Sequence, residues 1–242
     1  MGTRALRFGR LGSTTLRAHP SLLVAGVVLV ALFAPRFDHA GADPYLVGVV
    51  FVVALYASIL VHELAHVGAA RAFGMRVPSV TLHLLGGETH IVGRSRGPGA
   101  DALIAFVGPV ASAAIGVVVL LAVDASAHPT TQQVLWSLGW INLLIAAFNL
   151  LPGPPLDGGR VVAAAAWSLS GRHSTGLRVA AWTGRATALL AVAGVVWFSL
   201  GSPRGLFDVL ITVVVGGFLW AGAGHSLRQA DAEHSHDNER NT

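Results

Sequence analysis

Six apolar segments alternate with short polar connections along most of the chain. The segments cover residues 21–34, 45–61, 102–123, 132–150, 179–199 and 206–224. Most approach the ~20 residues that an α-helix needs to cross the hydrocarbon core of a bilayer, although the first is short. Each must be helical, because lipid offers no partners for unpaired backbone amides and carbonyls. The pattern predicts an all-α membrane protein with six transmembrane helices.

Two stretches interrupt this helical pattern. Between the second and third apolar segments, "VPSVTLHLLGGETHIVG" alternates apolar and polar residues around Gly86 and Gly87, which predicts a short β-hairpin at the membrane interface. Further on, "PGPPLDGGR" at 152–160 breaks an apolar run with prolines and glycines. Irregular backbone at membrane depth is tolerated only where it is buried in protein or lines a cavity. The second stretch therefore marks a site.

The ends of the chain differ from its middle. Residues 1–20 form a basic arm, 21–224 form one polytopic membrane domain, and the polar tail 225–242 is expected to be disordered. The arm and the connection after the second segment are rich in arginine, whereas 35–44 and 124–131 are not. Arginine accumulates on the cytoplasmic side, so six crossings place both termini in the cytoplasm, most simply at a bacterial plasma membrane.

Composition excludes several classes of function. The chain is 53% hydrophobic and only 12% charged, and its net charge of +4 comes from arginines in short connections, which topology explains better than a nucleic-acid partner. The absence of cysteine excludes disulfides, thiolate nucleophiles and Cys-based zinc sites. The remaining partners are the lipid bilayer and other membrane proteins. Whether copies of the chain associate stays open.

The strongest chemical signal is "HELAH" at residues 62–66, at the end of an apolar helix. His62 and His66 are four residues apart and share one helical face, within reach of a single zinc ion. Glu63 then stands beside the open coordination position, where it can take a proton from water. Three polar residues at lipid depth are costly without a function or a partner, so a chance match is the weaker interpretation.

Two histidines need a third protein ligand. Asp157 is the best candidate, because it is the only carboxylate between Asp124 and Asp208 and lies in the broken segment. Its alternative role is that of a turn-forming residue before Gly158. Glu88 and His90 on the hairpin are weaker candidate ligands.

The two motifs together resemble the signature of the site-2 protease family of intramembrane zinc metalloproteases, peptidase family M50. "HELAH" corresponds to its HExxH motif, and "NLLPGPPLDGGR" at 149–160 corresponds to its Asn-x-x-Pro-x-x-x-x-Asp-Gly pattern. The resemblance covers about residues 58–165 and is closest to the compact six-span branch. It implies Glu63 as general base and one zinc per chain, held by His62, His66 and Asp157. It also implies that Asn149 lies near the metal.

Some implied roles have simpler alternatives. Asn149 could orient substrate or stabilise the oxyanion, or it could cap a helix. Gly86 and Gly87 could let an extended substrate strand approach, or they could serve a tight turn. Ala65 stands where many members have glycine. We also expect regulation without a PDZ domain between the motifs or a CBS pair after Gly224.

The predicted function is hydrolysis of peptide bonds in or near transmembrane helices of membrane-protein substrates, in regulated intramembrane proteolysis. An alternative from another class is a membrane zinc-binding or transport protein, which would not need Glu63 beside the open position. A third is a catalytically silent scaffold, against which the intact motif set argues.

Overall fold

The structure is a computed structural model that describes residues 5–37, 43–84, 86–93, 95–126, 128–199 and 205–240. Over these ranges it is mainly helical, with one small sheet. The strands are β1 (Leu6–Leu11), β2 (Thr14–Ala18), β3 (Arg76–His83) and β4 (Gly86–Val92). The helices are α1 (Ser21–Phe33), α2 (Pro44–Ala72), α3 (Pro98–Leu121), α4 (Pro129–Asn149), α5 (Asp157–Ser170), α6 (His173–Ser199) and α7 (Gly205–Arg240).

The chain divides into two compact units. The first comprises Met1–Ser95 and Val107–Ala147, and the second comprises Arg96–Phe106 and Phe148–Thr242. The chain passes from one unit to the other three times, just before α3, within α3 and within α4.

The helices of the first unit pack around an aromatic core. Phe33 and Phe37 pack against Phe51 in tilted arrangements, with ring centroids 4.8 and 5.6 Å from that of Phe51. Asp43 begins α2, because its Oδ1 accepts hydrogen bonds from two backbone amides of the first turn at 2.8 and 3.0 Å. Pro44, which lacks an amide hydrogen, suits the first helical position. From there α2 runs without interruption through the "HELAH" motif.

The sheet of the first unit has the strand order β1-β2-β3-β4. β3 and β4 pair antiparallel as the sequence predicts, with Leu82 opposite Gly87. Gly86 has a φ of +128°, which only glycine adopts easily, and this lets the chain turn into β4. The hairpin is not isolated, however. β1 and β2 form a second hairpin, and β2 pairs with β3 in parallel.

The N-terminal arm is thus more structured than predicted. Its sequence from 6 to 18 alternates apolar or hydroxyl residues with arginines around a turn at Gly12, whose φ is +57°. The Thr14 hydroxyl donates to the Val77 carbonyl, and Arg71 donates to the Leu11 carbonyl at 2.9 Å. These bonds attach the arm to α2 and β3.

The second unit contains α5 and the long helices α6 and α7. Gly184 of α6 lies against Gly153, and Gly222 of α7 lies against Pro155, so closely that a Cβ on either Gly153 or Gly222 would collide with the facing backbone. These glycines allow both helices to pack directly on the loop that precedes α5. The loop predicted to be irregular is therefore held on two sides within this unit.

Two further features of the second unit differ from the prediction. Residues 157–170, which form no recognised apolar span, fold as α5. The tail predicted to be disordered continues α7 as far as Arg240. As far as Glu233 the longer helix is paired with α6, since Arg178 bonds Asp231 at 2.9 Å and His173 bonds Glu233 at 2.8 Å.

Among the described residues, four helices are long and apolar enough to cross a membrane. They are Pro44–Ala72, Pro98–Leu121, His173–Trp197 and Asp208–Glu233. Their length and composition indicate an integral membrane protein. The first apolar segment forms the shorter Ser21–Phe37 stretch. The segment at 132–150 lies in α4, which begins with the polar run "TTQQ". Six crossings are therefore not established by these helices.

Candidate metal centre

The "HELAH" motif lies on the buried side of α2. His62, Glu63 and His66 are only 4%, 6% and 4% exposed. A helical turn separates the two histidines, and this places their rings on one face with centroids 4.9 Å apart. The predicted pair of imidazoles is therefore brought together inside the first unit.

The two imidazoles point the same ring nitrogen at each other. Nε2 of His62 and Nε2 of His66 are 3.2 Å apart. Two nitrogens bound to one tetrahedral zinc at about 2.0–2.1 Å would be about 3.3 Å apart. The observed spacing therefore fits a zinc ion held by both Nε2 atoms.

Ser112 of α3 fixes the orientation of His62. Its Oγ lies 2.9 Å from Nδ1 of His62, and the side chain is 1% exposed. With a proton on Nδ1, this bond leaves the lone pair of Nε2 available to a metal. Metal-ligating histidines commonly make such a bond through their second nitrogen, which sets the tautomer and the ring orientation.

Gly108, one turn before Ser112, brings the backbone of α3 against the same histidines. A Cβ at this position would lie 2.7 Å from Nε2 of His62 and closer still to Nε2 of His66. Neither distance is compatible with a methyl group in van der Waals contact. The two Nε2 atoms can therefore occupy these positions only because residue 108 is a glycine, which has no Cβ.

Glu63 faces the strand β4. Its Oε2 accepts a hydrogen bond of 2.6 Å from the hydroxyl of Thr89. The backbone of Gly87 lies so close that a Cβ there would be 2.6 Å from Oε1 of Glu63. Of the two glycines predicted to matter, Gly87 thus contacts the predicted base, whereas a Cβ on Gly86 would meet nothing within 4 Å.

The weaker ligand candidates lie elsewhere on the hairpin. Glu88 and His90 are both exposed, and they flank Thr89 in β4. Because successive side chains of a strand point to opposite faces, these two point away from the face that carries Thr89. The geometry of the first unit does not favour either as a partner of His62 and His66.

Asp157 and Asn149 belong to the second unit. Asn149 is the last residue of α4, and half-buried Asp157 is the first residue of α5. The glycines after Asp157 have a steric role. A Cβ on Gly158 would collide with the carbonyl of Leu150, and one on Gly159 with the backbone of Gly153 and Pro154. The Asp-Gly-Gly sequence therefore allows a tight entry into α5.

Three residues of the site were not singled out from the sequence. They are Thr89, Gly108 and Ser112. A signal for the last two was available, since a small residue and a hydroxyl four positions apart share one face of an otherwise apolar helix. The alternation of residues in β4 indicated which face of the strand carries Thr89. No sequence feature, however, indicated that this face meets α2.

Comparison with known proteins gives one family. The sequence profile of peptidase family M50 matches residues 50–127 and 122–193. A relative from Synechocystis sp., named provisionally as a zinc metalloprotease, is 32% identical over 94% of this chain and 61% of its own. Rip3 of Mycobacterium tuberculosis, named in the same way, is 37% identical over 90% of this chain and 58% of its own. The chain thus spans about three fifths of the length of these relatives.

A solved structure has the same fold. The site-2 protease from Methanocaldococcus jannaschii superposes with a TM-score of 0.64, at 24% identity, over 93% of this chain and 95% of that one. The mainly helical architecture with its small sheet is therefore the site-2 protease fold.

Proposed function

This chain belongs to peptidase family M50, and on that premise we propose that it is an intramembrane zinc metalloprotease. Its substrates are membrane proteins, cut in or near a transmembrane helix during regulated intramembrane proteolysis. The observation that carries the proposal is the arrangement on α2. Two buried imidazoles present Nε2 atoms 3.2 Å apart, and the neighbouring carboxylate of Glu63 is held by a strand beside them.

One Zn2+ per chain is the proposed cofactor. His62, His66 and Asp157 supply two imidazoles and a carboxylate, a donor set that could hold a metal ion. When bound, Zn2+ supplies Lewis-acid polarisation of the scissile carbonyl and lowers the pKa of water. Asp157 is included because of its place in the second family motif and its charge.

Glu63 is the proposed general base. Its carboxylate accepts a proton from the attacking water and passes it to the departing amine nitrogen, so that the peptide bond breaks without a free amide anion. Burial of Glu63 keeps bulk water away, which strengthens the electrostatic interactions on which this transfer depends.

Substrate binding is proposed for Asn149, Gly86 and Gly87. The Asn149 amide can orient the substrate carbonyl or donate to the oxyanion that forms on it. β4 is the last strand in the sheet order, so an unwound substrate can pair with its outer edge beside the two glycines. Unwinding is required because a helical substrate engages its own carbonyls in backbone hydrogen bonds.

The finer membrane arrangement is also a proposal. We place six crossings within 21–224, both termini in the cytoplasm, and the sheet at the cytoplasmic interface of a bacterial plasma membrane. The parallel pairing of β2 with β3 supports the placement of the sheet. It requires the arginine-rich arm and the connection after α2 to lie on one side of the membrane.

The test is cleavage of a transmembrane substrate by purified protein in proteoliposomes. The wild-type chain should bind one zinc and cut a model helix that contains a helix-breaking residue. Glu63→Gln should keep its zinc and lose at least about 100-fold in turnover, since only the base is removed. Thr81→Val on β3 is a control for substitution in the same unit. Zinc binding without cleavage by the wild type would favour the zinc-binding or transport alternative.

A further inference from the structure

The hydroxyl of Thr89 is hydrogen-bonded to the carboxylate of Glu63. Thr89 Oγ1 lies 2.6 Å from Oε2, and it lies 3.3 Å from the backbone carbonyl oxygen of the same residue. The shorter contact has the length expected for a hydroxyl that donates to a charged oxygen. Oε1 accepts no hydrogen bond from any residue that the structure describes. One oxygen of the carboxylate is thus held and the other is left to accept a proton from water.

Gly87 contributes to the same arrangement by leaving room for Glu63. Residues 87 and 89 are two apart in β4 and face the same side. A Cβ at residue 87 would lie 2.6 Å from both Cδ and Oε1 of Glu63, so any larger residue must displace the carboxylate. The face of β4 that meets α2 therefore accommodates Glu63 in two ways. Gly87 leaves room for its carboxylate, and Thr89 donates a hydrogen bond to it.

Such a fixed base matters because a glutamate side chain has several rotatable bonds. Without a partner, its carboxylate would sample orientations in which neither oxygen faces the water that it must deprotonate. Holding reacting groups in the productive geometry lowers the barrier, and displacements of about 1 Å can cost about 100-fold in rate. The Thr89 hydrogen bond restricts the carboxylate at little cost, since the strand carrying it is itself ordered by pairing with β3.

We propose that Thr89 is a positioning residue for the general base, which holds Oε2 of Glu63 so that Oε1 faces the attacking water. This inference rests on the proposed function. It assigns to the sheet a part in turnover that is separate from pairing with a substrate strand.

The experiment compares Thr89→Val, which removes the hydroxyl at nearly constant volume, with Thr89→Ser, which keeps it. The matched control is Thr81→Val, the same change on β3, where the side chain makes no hydrogen bond within the part of the chain that the structure describes. For each variant, kcat and KM are measured on the model transmembrane substrate, and zinc per protein is measured by elemental analysis. Should Thr89→Val fail to accumulate, Thr89→Ala removes the same hydroxyl without placing a methyl against the carboxylate.

We expect Thr89→Val to lower kcat by about 10- to 100-fold, the range seen when a supporting hydrogen bond to an active-site group is lost, with KM and zinc content unchanged. Thr89→Ser should restore most of the rate, and Thr81→Val should behave as wild type. Equal kcat for wild type and Thr89→Val would overturn the inference. So would loss of zinc alongside activity, or failure of Thr89→Ser to restore the rate, because each indicates a role in folding or packing. Absence of cleavage by the wild type would instead remove the proposed function itself.

Discussion

Gly108→Ala tests whether His62 and His66 can bind a metal only when residue 108 of α3 has no side chain. The added methyl carbon would lie 2.7 Å from Nε2 of His62 and still closer to Nε2 of His66. Ordinary contact between carbon and nitrogen requires about 3.4 Å or more, so the ring of His62 must retreat by about 0.7 Å and the ring of His66 by more. Metal-ligand bonds tolerate deviations of only about 0.2 Å. The substitution should therefore remove one histidine ligand.

The expected loss of zinc affinity in Gly108→Ala follows from the free energy of zinc binding. Structural zinc sites bind with about 10–16 kcal/mol, so each of four ligands contributes about 3 kcal/mol on average. Loss of one ligand should raise the Kd for zinc by about 100-fold. The assay is competition with a chelator of known affinity, on protein in detergent. Gly99→Ala is the matched control, because it lies in the same helix and its Cβ would meet nothing within 4 Å.

A monodisperse elution profile, and an unfolding temperature equal to that of Gly99→Ala when both are measured without metal, would show that Gly108→Ala is folded. If the folded variant then bound zinc as tightly as Gly99→Ala, the two Nε2 atoms could not be the metal donors. The reasoning from the spacing of the histidines would be refuted with it.

Three further predictions concern the ligands and the topology. Asp157→Asn should lower zinc content and cleavage together, because an amide keeps the shape of the side chain but loses the charge proposed to hold the metal. Full zinc content and full activity in this variant would show that another group is the third ligand. Ser112→Ala should raise the Kd for zinc by about 10- to 100-fold, and Ser112→Thr should largely preserve it; equal affinities would mean that the bond to His62 does not orient the ring. Reporter fusions at either terminus should report the cytoplasm, and an external signal from one of them would overturn the proposed orientation.

The parts of the fold that the sequence predicts are those with strong local patterns. Apolar runs long enough to span lipid gave the helices, and alternation around Gly86 and Gly87 gave β3 and β4. The arm was missed as structure, because two short strands are stable only on a sheet, and nothing local shows that β2 will find β3. α5 was missed because its run of alanines is too short to register as a span.

The residues of the site likewise fall into those that a local pattern predicts and those that it does not. His62, Glu63 and His66 lie within five consecutive residues of one helix, so their spacing alone predicted that the two histidines share a face with Glu63 beside them. Thr89 and Ser112 reach these residues from other elements, 26 and 50 positions away. Such contacts depend on packing between elements, which periodicity does not encode. The sequence therefore indicated the proposed ligands and the proposed base, whereas the groups that contact them became visible only in the structure.

The strand order has a practical consequence for anyone who shortens this chain. β2 covers one edge of β3, whose Val77 and Val80 are only 2% and 1% exposed. Removal of residues 5–18 would leave β3 and β4 as a two-stranded ribbon, in which β3 becomes an edge strand with unpaired amides and apolar side chains. Such a ribbon is a template for pairing between molecules. Trimming the basic arm to simplify purification should therefore yield aggregates, and an affinity tag is better placed ahead of an intact arm, separated by a flexible linker.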